Sequence, residues 1–238
     1  MTARRVLVTG GAGFVGSHVA DALVARGDEV VVVDDLSTGS RDNVAAGIDL
    51  RVVDVSDGPA LGRAVEGEHF DAVVHLASKT KVVQSMEQPD LYRRVIVEGT
   101  RNVVDAALAT GARDLVNIST GGAIYGETPE CAGEETELRP ASPYGRLKAE
   151  AEDVAQRAGL RAVTLRLANV YGPRQRTDLE GGVIAIFLGN WQAERPLTVY
   201  GDGGAQRDYL HVADACDAVL AALDSTATGV YNIGTGVA

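Results

Sequence analysis

Tyr144 and Lys148 stand four residues apart on a stretch patterned as a helix, so a phenol and an ammonium share one face. Such pairs are common on solvated helices and mean little alone. Here the pair follows the fifth of a series of apolar strands, and that strand closes on Ser119-Thr120-Gly121-Gly122. A phenol, an ammonium and two hydroxyls at one sheet edge can hold and pass a proton. Tyr144, Lys148, Thr120 and Ser119 are therefore the catalytic candidates.

Near the start of the chain, Thr9-Gly10-Gly11-Ala12-Gly13-Phe14-Val15-Gly16 follows the apolar run Val6-Leu7-Val8 and enters a helix. Glycines at Gly10, Gly13 and Gly16 permit a sharp turn and a close approach to a pyrophosphate. The free N–H groups of the helix start, at Phe14 and Val15, face the anion. A second apolar run, Val30-Val31-Val32-Val33, closes on Asp34 at the distance where a strand-end carboxylate meets an adenosine ribose. That carboxylate would repel a 2′-phosphate, so the expected cofactor is NAD rather than NADP. Asp35 either shares the ribose or solvates the loop, and Leu36 continues the same turn.

The elements that must hold these groups alternate. Strands are expected over 6–9, 29–34, 50–53, 71–75, 114–118 and 161–167, with helices over 14–26, 59–66, 89–110 and 142–158. Ser142 is the N-cap of the last helix, Pro143 sits in its first turn and Gly159 lies beyond its end. Apolar strands separated by helices predict an α/β fold, a doubly wound parallel sheet with ligands beyond the carboxyl ends of its strands. Past Gly172-Pro173 the pattern loosens. The boundaries read as 1–173 for the cofactor domain and 174–208 for a small substrate lobe, with a helix over 183–191 and a strand over 197–200. Residues 209–238 return a helix and a strand to the main sheet.

The 238 residues, 45% hydrophobic, suffice for one sizeable core. A net charge of −11 sets the mean field against nucleic acid and anionic membrane surfaces. No apolar run reaches transmembrane length and no signal-peptide pattern precedes the first strand, so a cytoplasmic protein is expected. Cys131 and Cys216 are too few for a disulfide framework. His18, His69, His75 and His211 have no metal-ligand spacing, so no metal is expected.

Taken together, these residues resemble the extended short-chain dehydrogenases/reductases, and among them the nucleotide-sugar 4-epimerases. The likeness rests on Thr9 to Gly16, Asp34-Asp35-Leu36, Asp54-Val55, His75-Leu76-Ala77, Ser119-Thr120 and Tyr144 to Lys148. Further along it rests on Leu165 to Asn169, on Tyr171 to Arg174 and on Arg207 to Val212. The resemblance implies a Rossmann fold and NAD-dependent 4-epimerisation through a 4-keto intermediate. The expected partner is a UDP-sugar, UDP-glucose/UDP-galactose. It also implies a homodimer built on the helices over 89–110 and 142–158.

In that scheme Tyr144 takes the proton from a sugar hydroxyl while Lys148 holds the nicotinamide ribose. A free tyrosine titrates near pH 10, so neutral working needs a downward shift of roughly 3 units, about 4 kcal/mol. Lys148 and a cationic nicotinamide are the expected sources. Thr120, ahead of Ser119, holds the same sugar oxygen. By resemblance Asp54 and Val55 contact the adenine, and Leu76 and Ala77 line the dinucleotide. Asn169 and Val183 fall where the family touches its nucleotide sugar. Arg207 suits the substrate's pyrophosphate. Tyr200 either packs on the nucleobase or belongs to the core, and Arg174 and Arg176 face substrate or solvent. His75 reads as a packed neutral histidine.

Two departures stand out. Ile96 occupies the place of a family asparagine that organises water near the lysine. An epimerase returns its proton to the substrate and tolerates this better than a net oxidoreductase does. The sequence stops at Gly236-Val237-Ala238, where family members continue, and loose UDP-sugar binding with slow turnover is the expectation. A 4,6-dehydratase needs carboxylates beside Thr120, where this chain has Gly121 and Gly122. A UDP-uronic acid 4-epimerase or decarboxylase, using arginines near Arg174, and a non-catalytic NAD(H) sensor remain as alternatives.

Overall fold

The computed structural model describes residues 3–128, 131–178, 182–199 and 201–237. In chain order its strands are β1 (Arg5–Thr9), β2 (Glu29–Asp34), β3 (Asp49–Val52), β4 (Ala72–His75), β5 (Asp114–Thr120), β6 (Arg161–Leu167), β7 (Asn169–Tyr171), β8 (Tyr209–His211) and β9 (Gly229–Ile233). The helices are α1 (Phe14–Arg26), α2 (Gly58–Ala64), α3 (Val82–Glu87), α4 (Pro89–Arg93), α5 (Gly99–Ala109), α6 (Gly121–Ile124), α7 (Pro143–Gln156), α8 (Val183–Gln192) and α9 (Val212–Asp224).

Seven strands pair in parallel in the order β3-β2-β1-β4-β5-β6-β9. From β1 the chain winds outward through β2 and β3, then crosses back to β4 and winds the other way. The strand order therefore reverses between β1 and β4, which opens a crevice at their carboxyl ends. Alternation along the strands fills both faces. Val6, Val8, Val30 and Val32 join the core beneath α1 and α9, while Leu7, Val31 and Val33 join the one beneath α2 and α5.

Most expected elements lie within a residue or two of their observed bounds. Four features differ. The helix expected over 89–110 is a continuous run interrupted by a π-helical turn at Arg94–Glu98. There Val95, Ile96 and Val97 are all buried: Ile96 and Val97 pack with Tyr144, Leu147 and Ala151 of α7, and Val95 lines the cleft. Residues 82–87, without a strong periodic pattern, form α3. Residues 197–199 are not a strand; Leu197 and Val199 are exposed and lack a pairing partner. A small parallel sheet, β7 with β8, pairs Asn169 with Tyr209 at the base of the lobe, and no periodicity in such short strands announces it. Among the described residues, no helix is long and apolar enough to cross a membrane.

Candidate active site

The turn after β1 is shaped by backbone crowding. Gly10 has φ +72°, and a Cβ there would lie 2.6 Å from the Ala77 nitrogen. At Gly16 a Cβ would lie 2.1 Å from the Gly10 carbonyl oxygen, so α1 packs against the turn only with glycine there. Gly13 is the N-cap of α1 and supplies no side-chain acceptor. The first N–H groups of a thirteen-residue helix thus face a cleft of about 650 Å³ lined by Gly10, Gly13, Phe14, Val15 and Gly16. Orphan donors at the positive end of a helix dipole suit the pyrophosphate of NAD.

Asp34, at the end of β2, is buried and lines the cleft. Its two oxygens accept from the Ala12 N–H at 3.0 Å and the Leu36 N–H at 2.8 Å. Burial raises its pKa, and those two hydrogen bonds oppose the shift. Leu36 itself adopts φ +57° and, contrary to the sequence reading, does not line the cleft, whereas Ser37 to Ser40 after it do. Asp35 lines the cleft with its carboxylate 3.7 Å from the Lys79 ammonium. Asp54, Val55, Leu76 and Ala77 line the same cleft. Val55 is fixed by the Asn102 amide, which donates to its carbonyl at 2.8 Å.

His75 ends β4 directly behind the glycine turn. The Thr100 hydroxyl donates to the Ile96 carbonyl, so it accepts from His75 Nε2 at 3.0 Å. Nδ1 is then left to accept from the Thr9 hydroxyl at 2.7 Å. Burial, with the charge of Lys148 nearby, pushes the imidazole down to about 3. His75 is a neutral packed histidine.

Tyr144 and Lys148 enter the cleft from α7. The Ser142 hydroxyl caps that helix, accepting from the Gly145 N–H at 3.1 Å, and Pro143 occupies the first turn. The Tyr144 N–H, an orphan donor of that turn, donates to the Ser85 hydroxyl of α3 at 3.2 Å. A Cβ on Gly145 would lie 2.3 Å from the Ala123 carbonyl oxygen, so glycine lets α7 approach α6 and the Thr120 turn. Burial pushes the Tyr144 phenol up to about 12, with the Thr120 hydrogen bond opposing. Burial also pushes Lys148 down to about 8, with Glu152 opposing. The Lys148 ammonium donates to the Ile118 carbonyl at 2.7 Å. The expected Lys148-driven fall of the Tyr144 pKa is therefore not seen. The protein's own groups move the phenol the other way, because desolvation outweighs them. Ser119 is buried and its hydroxyl has no partner among the described residues, whereas the Thr120 hydroxyl lies near enough to the Tyr144 phenol to lower its pKa.

Residues 6–234 match the NAD dependent epimerase/dehydratase family. The chain belongs to this family. The UDP-glucose 4-epimerase of Mycolicibacterium smegmatis is 36% identical over 98% of this chain and 78% of its own length. Two solved structures overlay closely. One is the Thermus thermophilus UDP-glucose 4-epimerase in complex with NAD, with TM-score 0.90, 44% identity and coverage of 97% and 78% of the two chains. The other is the Thermotoga maritima UDP-glucose 4-epimerase with UDP-glucose, with TM-score 0.93, 36% identity and coverage of 98% and 77%.

The far side of the cleft in this epimerase/dehydratase differs from the sequence reading. Asn169 lines it and donates to the Asp208 carbonyl at 3.4 Å. Val183 starts α8 half-buried and outside the cleft lining, which the adjacent Gly182 reaches. Arg207 is exposed, donates to the Gln206 carbonyl at 2.6 Å and stands beside the cleft rather than in it. Tyr200 lies outside the described residues. Arg174 and Arg176 do line the cleft. Arg174, at φ +64°, pairs with Asp21 of α1 at 2.7 Å. Arg176 pairs with Asp178 and donates to the Thr38 carbonyl at 3.2 Å. Lys79 and Gln175 also line the cleft and were missed from the sequence. Their only sequence signal is that each follows a strand ending at the carboxyl edge.

Proposed function

We propose that this chain interconverts the C4 epimers of a nucleotide sugar, UDP-glucose and UDP-galactose, with NAD bound in the cleft. The observation that carries this reading is the placing of Thr120 beside the buried Tyr144 phenol in the cleft at the carboxyl edge of the sheet, with Lys148 one turn along the same helix. NAD, when bound, supplies the hydride acceptor for the sugar carbon and returns the hydride to it. Tyr144 takes the sugar hydroxyl proton and gives it back, and Thr120 fixes the same oxygen. Lys148 holds the nicotinamide ribose and, with the positive nicotinamide, lowers the Tyr144 pKa that burial raises. The first amides of α1 hold the pyrophosphate, and Asp34 and Asp35 hold the adenosine ribose. Asp54 and Val55 contact the adenine. Asn169 and Val183 flank the sugar nucleotide. Arg207 takes its pyrophosphate from the cleft mouth, because Asp208 beside it is tied to Asn169. Two readings are disfavoured. β-Elimination lacks a carboxylate at Gly121 and Gly122, and the two arginines that line the cleft among the described residues, Arg174 and Arg176, are each ion-paired rather than open to a sugar carboxylate.

We assign residues 1–173 to the cofactor domain, 174–208 to the substrate lobe and 209–238 to the returning segment, with a homodimer formed through α4–α5 and α7. A cytoplasmic setting suits Cys131 and Cys216, both free thiols. Incubation with UDP-galactose and NAD is expected to yield UDP-glucose without net NADH and without a 4-keto-6-deoxy sugar. Steady accumulation of either product would overturn the epimerase reading. Replacing Arg207 by Ala is expected to weaken UDP-sugar binding and leave NAD binding unchanged.

A further inference from the structure

Beneath α7 lies a buried charged cluster that the chemistry above does not use. Arg166 of β6 points to the same side of the sheet as its register partners Ser119 of β5 and Asn232 of β9. Its guanidinium donates to both oxygens of Glu152 on α7, at 3.1, 3.1 and 2.6 Å. The remaining arm donates to the Tyr125 hydroxyl at 2.7 Å, and the guanidinium carbon lies 5.1 Å from the centre of that ring. The Tyr125 hydroxyl in turn donates to Asn232 Oδ1 at 2.7 Å. The Asn232 amide donates to the Ala132 carbonyl at 2.9 Å, and its N–H donates to Glu134 at 2.8 Å. Each of these side chains is satisfied by the next, the condition under which a buried network rigidifies its surroundings.

Tyr125 closes the segment that Thr120 opens. Between them runs the single turn α6, Gly121-Gly122-Ala123-Ile124, whose two leading glycines restrain the backbone least. The β5 ladder holds Thr120 on one side, since Thr120 pairs with Leu167. On the other side the buried Ile124 side chain and the Arg166–Tyr125 contact anchor it, and Glu152 joins the same guanidinium to the helix that carries Tyr144. We propose that Tyr125 is a positioning residue: its hydroxyl, clamped between Arg166 and Asn232, holds the glycine-softened turn so that Thr120 faces Tyr144. The catalytic consequence rests on the reading that Thr120 and Tyr144 share one substrate oxygen. The geometric claim does not.

Substitution Tyr125→Phe keeps the ring under the guanidinium and the Arg166–Glu152 pair intact, so the fold survives. NMR of protein labelled with tyrosine 13Cζ reads the claim directly, with the Tyr144 signal assigned through Tyr144→Phe. Thr120→Ala should move the Tyr144 resonance, Tyr125→Phe should move it in the same direction, and the double variant should move it no further than Thr120→Ala. In turnover, Tyr125→Phe should lower kcat roughly tenfold, since a misplacement near 1 Å costs up to about a hundredfold. NAD affinity should change less than about twofold, and the double variant should match Thr120→Ala alone. An unmoved Tyr144 signal in Tyr125→Phe or in Thr120→Ala overturns the proposal, as do independent effects in the double variant. A wild-type protein that does not turn over UDP-galactose would sink the epimerase reading, while the NMR comparison still decides the positioning role.

Discussion

Tyr144 and Lys148 share the inward face of α7, and burial moves their titrations in opposite directions, the phenol up to about 12 and the ammonium down to about 8. Both shifts have one physical cause, the preference of a dry environment for the neutral form. The pair is therefore set up to lose charge, and a cationic ligand beside it reverses the drive on Tyr144.

Stability should record the lysine. An unfolded lysine holds its proton to about pH 10.5, whereas Lys148 releases it near 8 in the fold. Between those values the unfolded chain binds more protons, so stability rises with pH, and below about 8 this contribution is flat. Tyr144 acts oppositely only above about pH 10, because its folded pKa is raised. Chemical denaturation of the NAD-free protein should show a gain from pH 8 to 10 that Lys148→Met removes. The same gain in that variant would show that Lys148 is not its source.

Tyr144→Phe removes the hydroxyl proposed to transfer the proton, with little change of shape. Turnover of UDP-galactose should fall by at least about a hundredfold, the lower end for loss of a general base. NAD binding by calorimetry should stay within about twofold. Near wild-type turnover would put the chemistry elsewhere.

Asp34 is held by two backbone donors and cannot swing away from a 2′-phosphate. NAD should bind at least tenfold more tightly than NADP, about 1.4 kcal/mol. Equal affinities in calorimetric titration with the two cofactors would remove Asp34 from the ribose site.

Gly145→Ala places a Cβ 2.3 Å from the Ala123 carbonyl oxygen, a backbone atom that cannot rotate aside as a side-chain end would. The two elements must part, at a cost of about 2 kcal/mol in stability. Turnover should fall more than NAD affinity does, because the displaced turn carries Thr120 and not the glycine loop. Thermal denaturation, calorimetry and a turnover assay on one preparation separate the three effects.

The glycine turn, Asp34 and the spacing of Tyr144 and Lys148 were legible because each is a local pattern. A turn needs particular φ values, a strand ends where its apolar run ends, and residues four apart on a helix share a face. The order of the seven-stranded sheet follows from alternating strands and helices joined by right-handed crossovers. Even the neutral state of His75 was foreseeable, since a histidine ending an apolar strand is surrounded by core.

What stayed hidden depends on distant parts of the chain meeting at fixed depth. The π-helical turn at Arg94–Glu98 packs Ile96 and Val97 against α7, a distant part of the chain, and no propensity of those residues announces it. The upward shift of Tyr144 comes from how much water the assembled helices exclude, which residue spacing does not measure. Arg174 and Arg176, rather than Arg207, line the cleft because Asp21 and the Thr38 carbonyl, more than a hundred positions away, hold their loop there. Glu152, Arg166, Tyr125 and Asn232 are scattered over α7, β6, the end of α6 and β9, and sheet register alone brings them together. Local chemistry is written in short stretches of residues, whereas burial and long-range pairing exist only once the chain has closed on itself.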